Sequence, residues 1–258
     1  MKPLKIIKIG GNIIDNNTAL EQFLSQFSKV KEPKILVHGG GKMATQLAED
    51  MNIPINLING RRITNAETLD VIIMMYAGKI NKNVVAKLQA NHCNAIGFTG
   101  ADGNTIRAVK RPVKKIDYGY VGDVKKVNTK PITMLLDHDI TPVFCAITHD
   151  KNGQLLNTNA DTIASELAIA LSRFYETELI YCFEKDGVLL SEEDEKSVID
   201  FMDTGTYETL KIRGTFTNGM LPKLENSYNA LYEGVSRVII GNATVVSNRN
   251  QKFTTLFL

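Results

Sequence analysis

Two lysines, one aspartate and two glycine clusters are the residues in this sequence best suited to chemistry. Gly10-Gly11 and Gly39-Gly40-Gly41 each follow a short apolar run. Glycine lets backbone N–H groups approach an anion closely. Each cluster leads into a helical pattern, whose N-terminus adds positive potential. Two tight strand-to-helix turns are the plainer alternative. Lys8 stands two residues before Gly10, either aimed into the same crevice or snorkelling from an edge strand. Lys223 falls in Gly219-Met220-Leu221-Pro222-Lys223, where Thr217 or Asn218 suits a helix cap and Pro222 fits only a first turn. In Asn157-Thr158-Asn159-Ala160-Asp161, either asparagine suits a cap and Asp161 suits the first turn.

This set of groups suits phosphoryl transfer, where catalysis is positioning plus neutralisation of charge. No general base is evident, and a carboxylate acceptor, already ionised, needs none. Other loops fit less well. A Walker loop ending at Gly41-Lys42 needs glycine at 36 and Ser or Thr at 43, where Leu36 and Met43 stand. Gly39-x-Gly41-x-x-Ala44 fits a dinucleotide loop, but the acidic ribose partner expected ~20 residues on is missing before Glu67. An NAD-dependent dehydrogenase is therefore the remote alternative. The four histidines form no triad with a nucleophile, and no HExxH or paired Cys/His site occurs, so no metal is expected from protein side chains.

The elements that must position these groups follow from pattern. Strands are expected at 4–9, 34–38, 95–98, 140–145, 178–183 and 235–240. Helices are expected at 15–29 with Asp15 as cap, at 42–51, from a cap at Thr64 or Asn65 through 91, and over Thr158–Leu171. Such alternation implies right-handed crossovers and a mainly parallel α/β sheet. The stretch 104–128 breaks the rhythm and reads as a hairpin excursion. The acidic run Ser191–Glu195 reads as a solvated loop. A lobe boundary is expected near 173.

Composition agrees with an ordinary folded chain of one or two domains. There are 258 residues, 43% apolar and 22% charged, with a formal charge of +2. That balance gives no general reason to expect nucleic acid or membrane binding. Arg107, Lys110, Arg111, Lys114, Lys115, Lys125, Lys126 and Lys130, with Tyr118 and Tyr120, offer a nucleic-acid reading of the hairpin, against which a solvated hairpin is preferred. No apolar run reaches the ~18 residues of a membrane span. Cys93, Cys145 and Cys182 lack CxxC spacing and read as reduced, buried thiols of a cytoplasmic protein.

Five segments in order carry a resemblance: Lys8-Ile9-Gly10-Gly11, His38-Gly39-Gly40-Gly41, Asn59-Gly60-Arg61-Arg62-Ile63-Thr64, Asn157–Asp161 and Asn218–Lys223. Together, over residues 4 to about 241, they closely resemble the amino acid kinase family and, through the Asn-Gly-x-Arg-x-Thr segment, its acetylglutamate branch. The resemblance implies an open three-layer αβα sandwich. An N-terminal lobe, 1–173, would bind the acylated amino acid and dimerise through the sheet. A C-terminal lobe, 174–258, would bind ATP. Lys8 and Lys223 would stabilise the transferring phosphoryl group, with Asp161 holding both lysines. Gly40, Gly41, Arg62 and Asn157 would bind the acyl-glutamate, and the Gly10 and Gly11 amides would face the phosphates. Glu184, Lys185, Asp186, Gly187, Val188 and Leu189, with Thr217, Asn218, Gly219 and Met220, would line the nucleotide site. Mg2+ would arrive with ATP, and the product would be an acyl phosphate on the γ-carboxyl of N-acetyl-L-glutamate, in arginine biosynthesis.

The sequence departs from the family pattern at several points. Glu184 replaces the usual Asp, Cys145-Ala146-Ile147-Thr148 replaces a Ser- and Gly-containing loop, and Arg61 and Lys42 add cations. The two cations raise the alternative that N-succinyl-L-glutamate is the substrate, their extra charge meeting a second carboxylate. Two solvated surface charges are the plainer reading. The chain starts at the first strand, without the extra N-terminal helix of arginine-inhibited hexameric relatives. A homodimer without arginine feedback is expected.

Overall fold

The structure is a computed structural model and describes residues 1–58, 61–216, 219–248 and 250–258. In chain order the strands are β1 (Lys2–Ile9), β2 (Lys34–His38), β3 (Asn56–Ile58), β4 (Arg61–Ile63), β5 (Ala95–Phe98), β6 (Ile106–Lys110), β7 (Gly122–Val127), β8 (Thr141–Cys145), β9 (Ile147–His149), β10 (Leu155–Asn157), β11 (Tyr175–Phe183), β12 (Phe201–Met202), β13 (Arg237–Asn242) and β14 (Thr254–Leu256). The α-helices are α1 (Gly11–Ile14), α2 (Asn17–Ser28), α3 (Gly41–Asp50), α4 (Ala66–Ile73), α5 (Asn81–Ala90), α6 (Thr129–Leu136), α7 (Ala160–Leu171), α8 (Thr204–Ile212) and α9 (Met220–Tyr232).

Eight strands form one sheet in the order β12-β14-β13-β11-β1-β2-β8-β5. The five pairings from β13 to β5 are parallel, while β14 runs antiparallel to β13. Strands buried on both faces read as continuous apolar runs. Accordingly, all five residues of β2 and all five of β8 are buried. Helices on both faces complete the sandwich, with Phe23, Leu24 and Phe27 of α2 and Ile163, Leu167 and Leu171 of α7 all in the core. Ligands of such sheets bind at the carboxyl ends of the strands. Here β1 and β2 end side by side at Ile9 and His38, so both glycine clusters open onto one crevice.

β1 lies inside the sheet, between β11 and β2, which removes the edge-strand reading of Lys8. The 104–128 excursion is a hairpin, β6 against β7, with an irregularity between Arg107 and Ala108. Its cations and aromatics serve each other. Lys110 lies over the Tyr120 ring, Arg111 lies over Tyr118, and Arg111 pairs with Asp123 at 2.7 Å. Each tyrosine thus has a cation of the same hairpin over its ring, which favours the solvated-hairpin reading. Residues 191–195 are exposed, as expected of a solvated loop.

The structure decides three caps, against expectation at the first and between the two expected alternatives at the others. Asp15 does not cap the first long helix. Asn16 does, its side chain accepting from the Ala19 N–H at 3.0 Å, because the chain first turns through α1 and Asp15 closes that short turn. Asn65, and not Thr64, caps α4 by accepting from Thr68 N–H at 2.8 Å, while Thr64 is buried. Asn159 caps α7, and Asn157 belongs to β10. The region 66–91 is not one regular helix: Met74–Ile80 is a π-helical segment joining α4 to α5.

Candidate active site

Asp161 is the hinge point of the crevice. It is the second residue of α7, where the Asn159 side chain accepts from its N–H at 2.7 Å. Its Oδ1 lies 2.7 Å from Lys8 Nζ and its Oδ2 accepts from Lys223 Nζ at 2.8 Å. Lys8 comes from the interior strand β1 and Lys223 from the first turn of α9. Neighbouring β11 supplies Tyr181, fully buried and opposite Lys8, whose ring lies 4.6 Å from Lys223 Nζ and whose hydroxyl donates to the Asp161 backbone carbonyl at 3.2 Å.

The electrostatics follow from this packing. Burial opposes ionisation of Asp161, but the charges and hydrogen bonds of Lys223 and Lys8 outweigh it and hold its carboxyl well below the usual range. For Lys223, burial is the strongest influence and lowers its pKa; Asp161 works against this, and the like charge of Lys8 adds to it. Two ammonium groups fixed on one carboxylate leave one net positive charge at the crevice. Removing the carboxylate alone would leave two like charges facing each other, an arrangement far costlier than an exposed pair.

The second glycine cluster forms a cradle. Gly40 has φ +151°, a conformation that disfavours side chains, and a Cβ there would lie 2.2 Å from Ile80 Cδ1. Arg62, from β4, reaches this loop. Its Nη2 donates to Gly41 O at 3.0 Å and to Thr45 Oγ1 at 2.7 Å, while its Nη1 is buried with no partner among the described residues. A buried guanidinium nitrogen left over beside a glycine loop fits a carboxylate ligand. Asn157 donates to Thr64 Oγ1 at 3.0 Å, so β10 is tied to the same segment. Below the loop, fully buried His38 contacts Gly39 O through Nδ1 at 2.9 Å and Asn81 Nδ2 through Nε2 at 3.0 Å.

The phosphate end departs from the expectation at one amide. Gly10 N–H donates to Cys182 O at 3.2 Å, so β1 and β11 consume it. Gly11 opens α1, where first-turn amides have no intrahelical partner. In the segment after β11, Glu184 accepts from Asn12 Nδ2 at 2.9 Å, Lys185 pairs with Glu195, and Asp186 accepts from Asn242 Nδ2 at 2.5 Å. Val188 is core: it is 1% exposed and its N–H is spent on Thr254 Oγ1. Gly187 is buried, and a Cβ there would lie 2.6 Å from Thr254 Oγ1. Val188 therefore packs into the core, Gly187 leaves no room for a side chain, and Leu189 bridges back to Val198. Gly219 precedes α9 and Met220 begins it, while Thr217 and Asn218 lie outside the described residues.

Pattern reading passed over Asn12, Thr45, Tyr76 and Tyr181. Asn12 directly follows the glycine pair, which is a usable signal; the others become visible only through packing. Asn12 also accepts from Lys42 Nζ at 3.0 Å, so one of the two extra cations is already engaged with protein.

The amino acid kinase family profile matches residues 3–242. The chain belongs to the amino acid kinase family. The acetylglutamate kinase of Cytophaga hutchinsonii is 57% identical over 244 residues, covering 94% of this chain and 92% of that protein. That of Phocaeicola vulgatus is 51% identical, covering 95% of each. Among solved structures, a Streptococcus mutans protein, smu.665, superposes with a TM-score of 0.82 at 27% identity, covering 98% of each chain. The Giardia lamblia carbamate kinase bound to AMP-PNP superposes at 0.74 with 14% identity, covering 99% of this chain and 98% of that one, a likeness of fold alone. The αβα sandwich expected of the amino acid kinase family is the fold observed.

Proposed function

We propose that the protein is an acetylglutamate kinase, phosphorylating the γ-carboxylate of N-acetyl-L-glutamate with ATP in arginine biosynthesis. The observation that carries this reading is the Lys8–Asp161–Lys223 cluster, set at the strand ends beside a glycine cradle that holds an arginine nitrogen without a partner among the described residues. High-identity acetylglutamate kinases covering nearly the whole chain support the substrate. The succinyl alternative loses ground because the high-identity relatives are acetylglutamate kinases. The dehydrogenase alternative has no support among the relatives.

An oxygen of the γ-carboxylate attacks the terminal phosphorus in line. The new P–O bond forms as the bond to the bridging oxygen breaks, and ADP leaves with the electron pair. No proton needs to move. Lys8 and Lys223 bring their ammonium groups to the equatorial and bridging oxygens, where negative charge concentrates. Asp161 keeps both ammonium groups in place, and Tyr181 backs Lys223. Gly40, Gly41, Arg62 and Asn157 orient the acceptor, and Gly11 and the 184–189 and 215–220 segments receive ATP. Mg2+ would be carried by the ATP phosphates and would supply neutralisation of part of their charge. Among the described residues no cluster of three acidic, His or Cys groups holds it, and both Asp161 oxygens are taken by lysines.

The finer organisation belongs to the same proposal. Residues 1–173 bind the acylated amino acid and 174–258 bind ATP. The protein works in the cytoplasm, where its three buried cysteines stay reduced. No helix among the described residues is long and apolar enough to cross a membrane. Two copies associate through the β5 side of the sheet.

The deciding experiment incubates the protein with Mg-ATP and N-acetyl-L-glutamate, N-succinyl-L-glutamate or glutamate, and traps the acyl phosphate as its hydroxamate. Product with the acetyl substrate is expected, with kcat falling at least 10²-fold in Lys8→Ala, on the scale of losing one transition-state donor. ADP release without hydroxamate, or full activity in the variant, would overturn the reading.

A further inference from the structure

Tyr76 lies in the π-helical segment Met74–Ile80, a type of irregularity that occurs frequently at functional sites. The segment turns both Tyr76 and Ile80 toward the glycine cradle. A Cβ built on Gly40 would lie 3.2 Å from Tyr76 Cε1, and one built on Gly41 would lie 4.0 Å from the Tyr76 hydroxyl. The ring therefore lies along Gly40 and the hydroxyl extends to Gly41.

Tyr76 is only 6% exposed, yet among the described residues no group hydrogen-bonds its hydroxyl. A phenol with no protein partner beside a ligand crevice can donate its proton to a ligand. Burial pushes its pKa up, against the pull of nearby Arg62, so the hydroxyl keeps its proton and is a donor. Arg62 meets the same loop at Gly41 O and keeps Nη1 unspent. Two donors without a partner among the described residues thus converge on Gly41 from different elements, one from β4 and one from the π segment. A single carboxylate can accept from both.

We infer that the Tyr76 hydroxyl donates to the substrate carboxylate that Arg62 receives, the α-carboxylate of the N-acylglutamate, and so selects for substrates that carry one. This rests on the proposed substrate: with the γ-carboxylate at Lys8 and Lys223, the α-carboxylate is the anionic group left for the cradle. The selection is a difference of affinities, because a ligand lacking the carboxylate offers neither donor an acceptor.

Tyr76→Phe keeps the ring that packs on Gly40 and deletes only the donor. The expected result is a KM for N-acetyl-L-glutamate raised about tenfold, equivalent to roughly 1.4 kcal/mol, with kcat and the KM for ATP within about twofold of wild type. N-Acetyl-4-aminobutyrate, which lacks the α-carboxylate, should inhibit wild type and variant with equal Ki. An unchanged KM for N-acetyl-L-glutamate, or an equal loss for both ligands, would overturn the inference while leaving the kinase reading intact. Absence of wild-type turnover would overturn the kinase reading and this inference with it.

Discussion

Lys223 shows how a residue that is unremarkable in the sequence acquires a function from its surroundings. A lysine in a first helical turn is ordinarily solvated, but here the side chain is 11% exposed, stacked on Tyr181 and bonded to Asp161. Burial lowers its pKa below the ordinary 10.5, Asp161 opposes this and Lys8 reinforces it. A phosphoryl-stabilising lysine must stay protonated, so kcat should fall on the alkaline side with an apparent pKa below 10.5. Lys223→Arg, whose guanidinium does not titrate in this range, should remove that limb at the cost of a lower plateau. A pH–rate profile of both proteins checks this; the same limb in each would assign it elsewhere. Lys8 and Asp161 were legible as types at plausible positions. Their contact was not, because residues 8, 161 and 223 are joined only by the sheet and the two helices it supports.

At the scale of elements, local chemistry was read well where the signal was local. Asn65 and Asn159 cap their helices because a short side-chain oxygen can reach the free first-turn amides. Asp15 was misassigned because the four-residue α1 has no periodic signature of its own. The π segment was invisible, since its apolar spacing matches an α-helix within a residue. The network behind β2 was also hidden. Gly97 makes room for Asn81, whose amide reaches His38 Nε2 and, at 2.9 Å, Val143 O. Burial pushes the His38 pKa from 6.5 down to about 4, partly offset by its bond to Gly39 O. The folded state therefore holds His38 neutral while the unfolded chain binds a proton below pH 6.5. Its contribution is present above pH 6.5 and is lost as pH falls to about 4, a change of about 3 kcal/mol. Urea unfolding at pH 7 and pH 4.5 should show wild type losing more stability than His38→Gln. Equal losses would show that this histidine is not the titrating group.

At the scale of the whole molecule, β5 ends the eight-stranded sheet, no further strand among the described residues pairs with its outer side, and Ile96 is 42% exposed. Edges of that kind are normally covered, which supports association of two copies there. Sedimentation of wild type should give twice the chain mass, and Ile96→Asp should shift it toward the monomer; an unshifted dimer would move the interface to another face. Strand and helix alternation, the glycine clusters at strand ends, and the ordered family motifs were all determined by the sequence alone, because they depend on short-range periodicity and residue type. Tertiary structure alone decided that β1 is interior, that Gly10's amide is spent on β11, that Val188 is core, and that Asp161 grips two lysines from distant segments. Those outcomes depend on strand order and packing, which join residues more than 60 positions apart and leave no periodic trace in the chain.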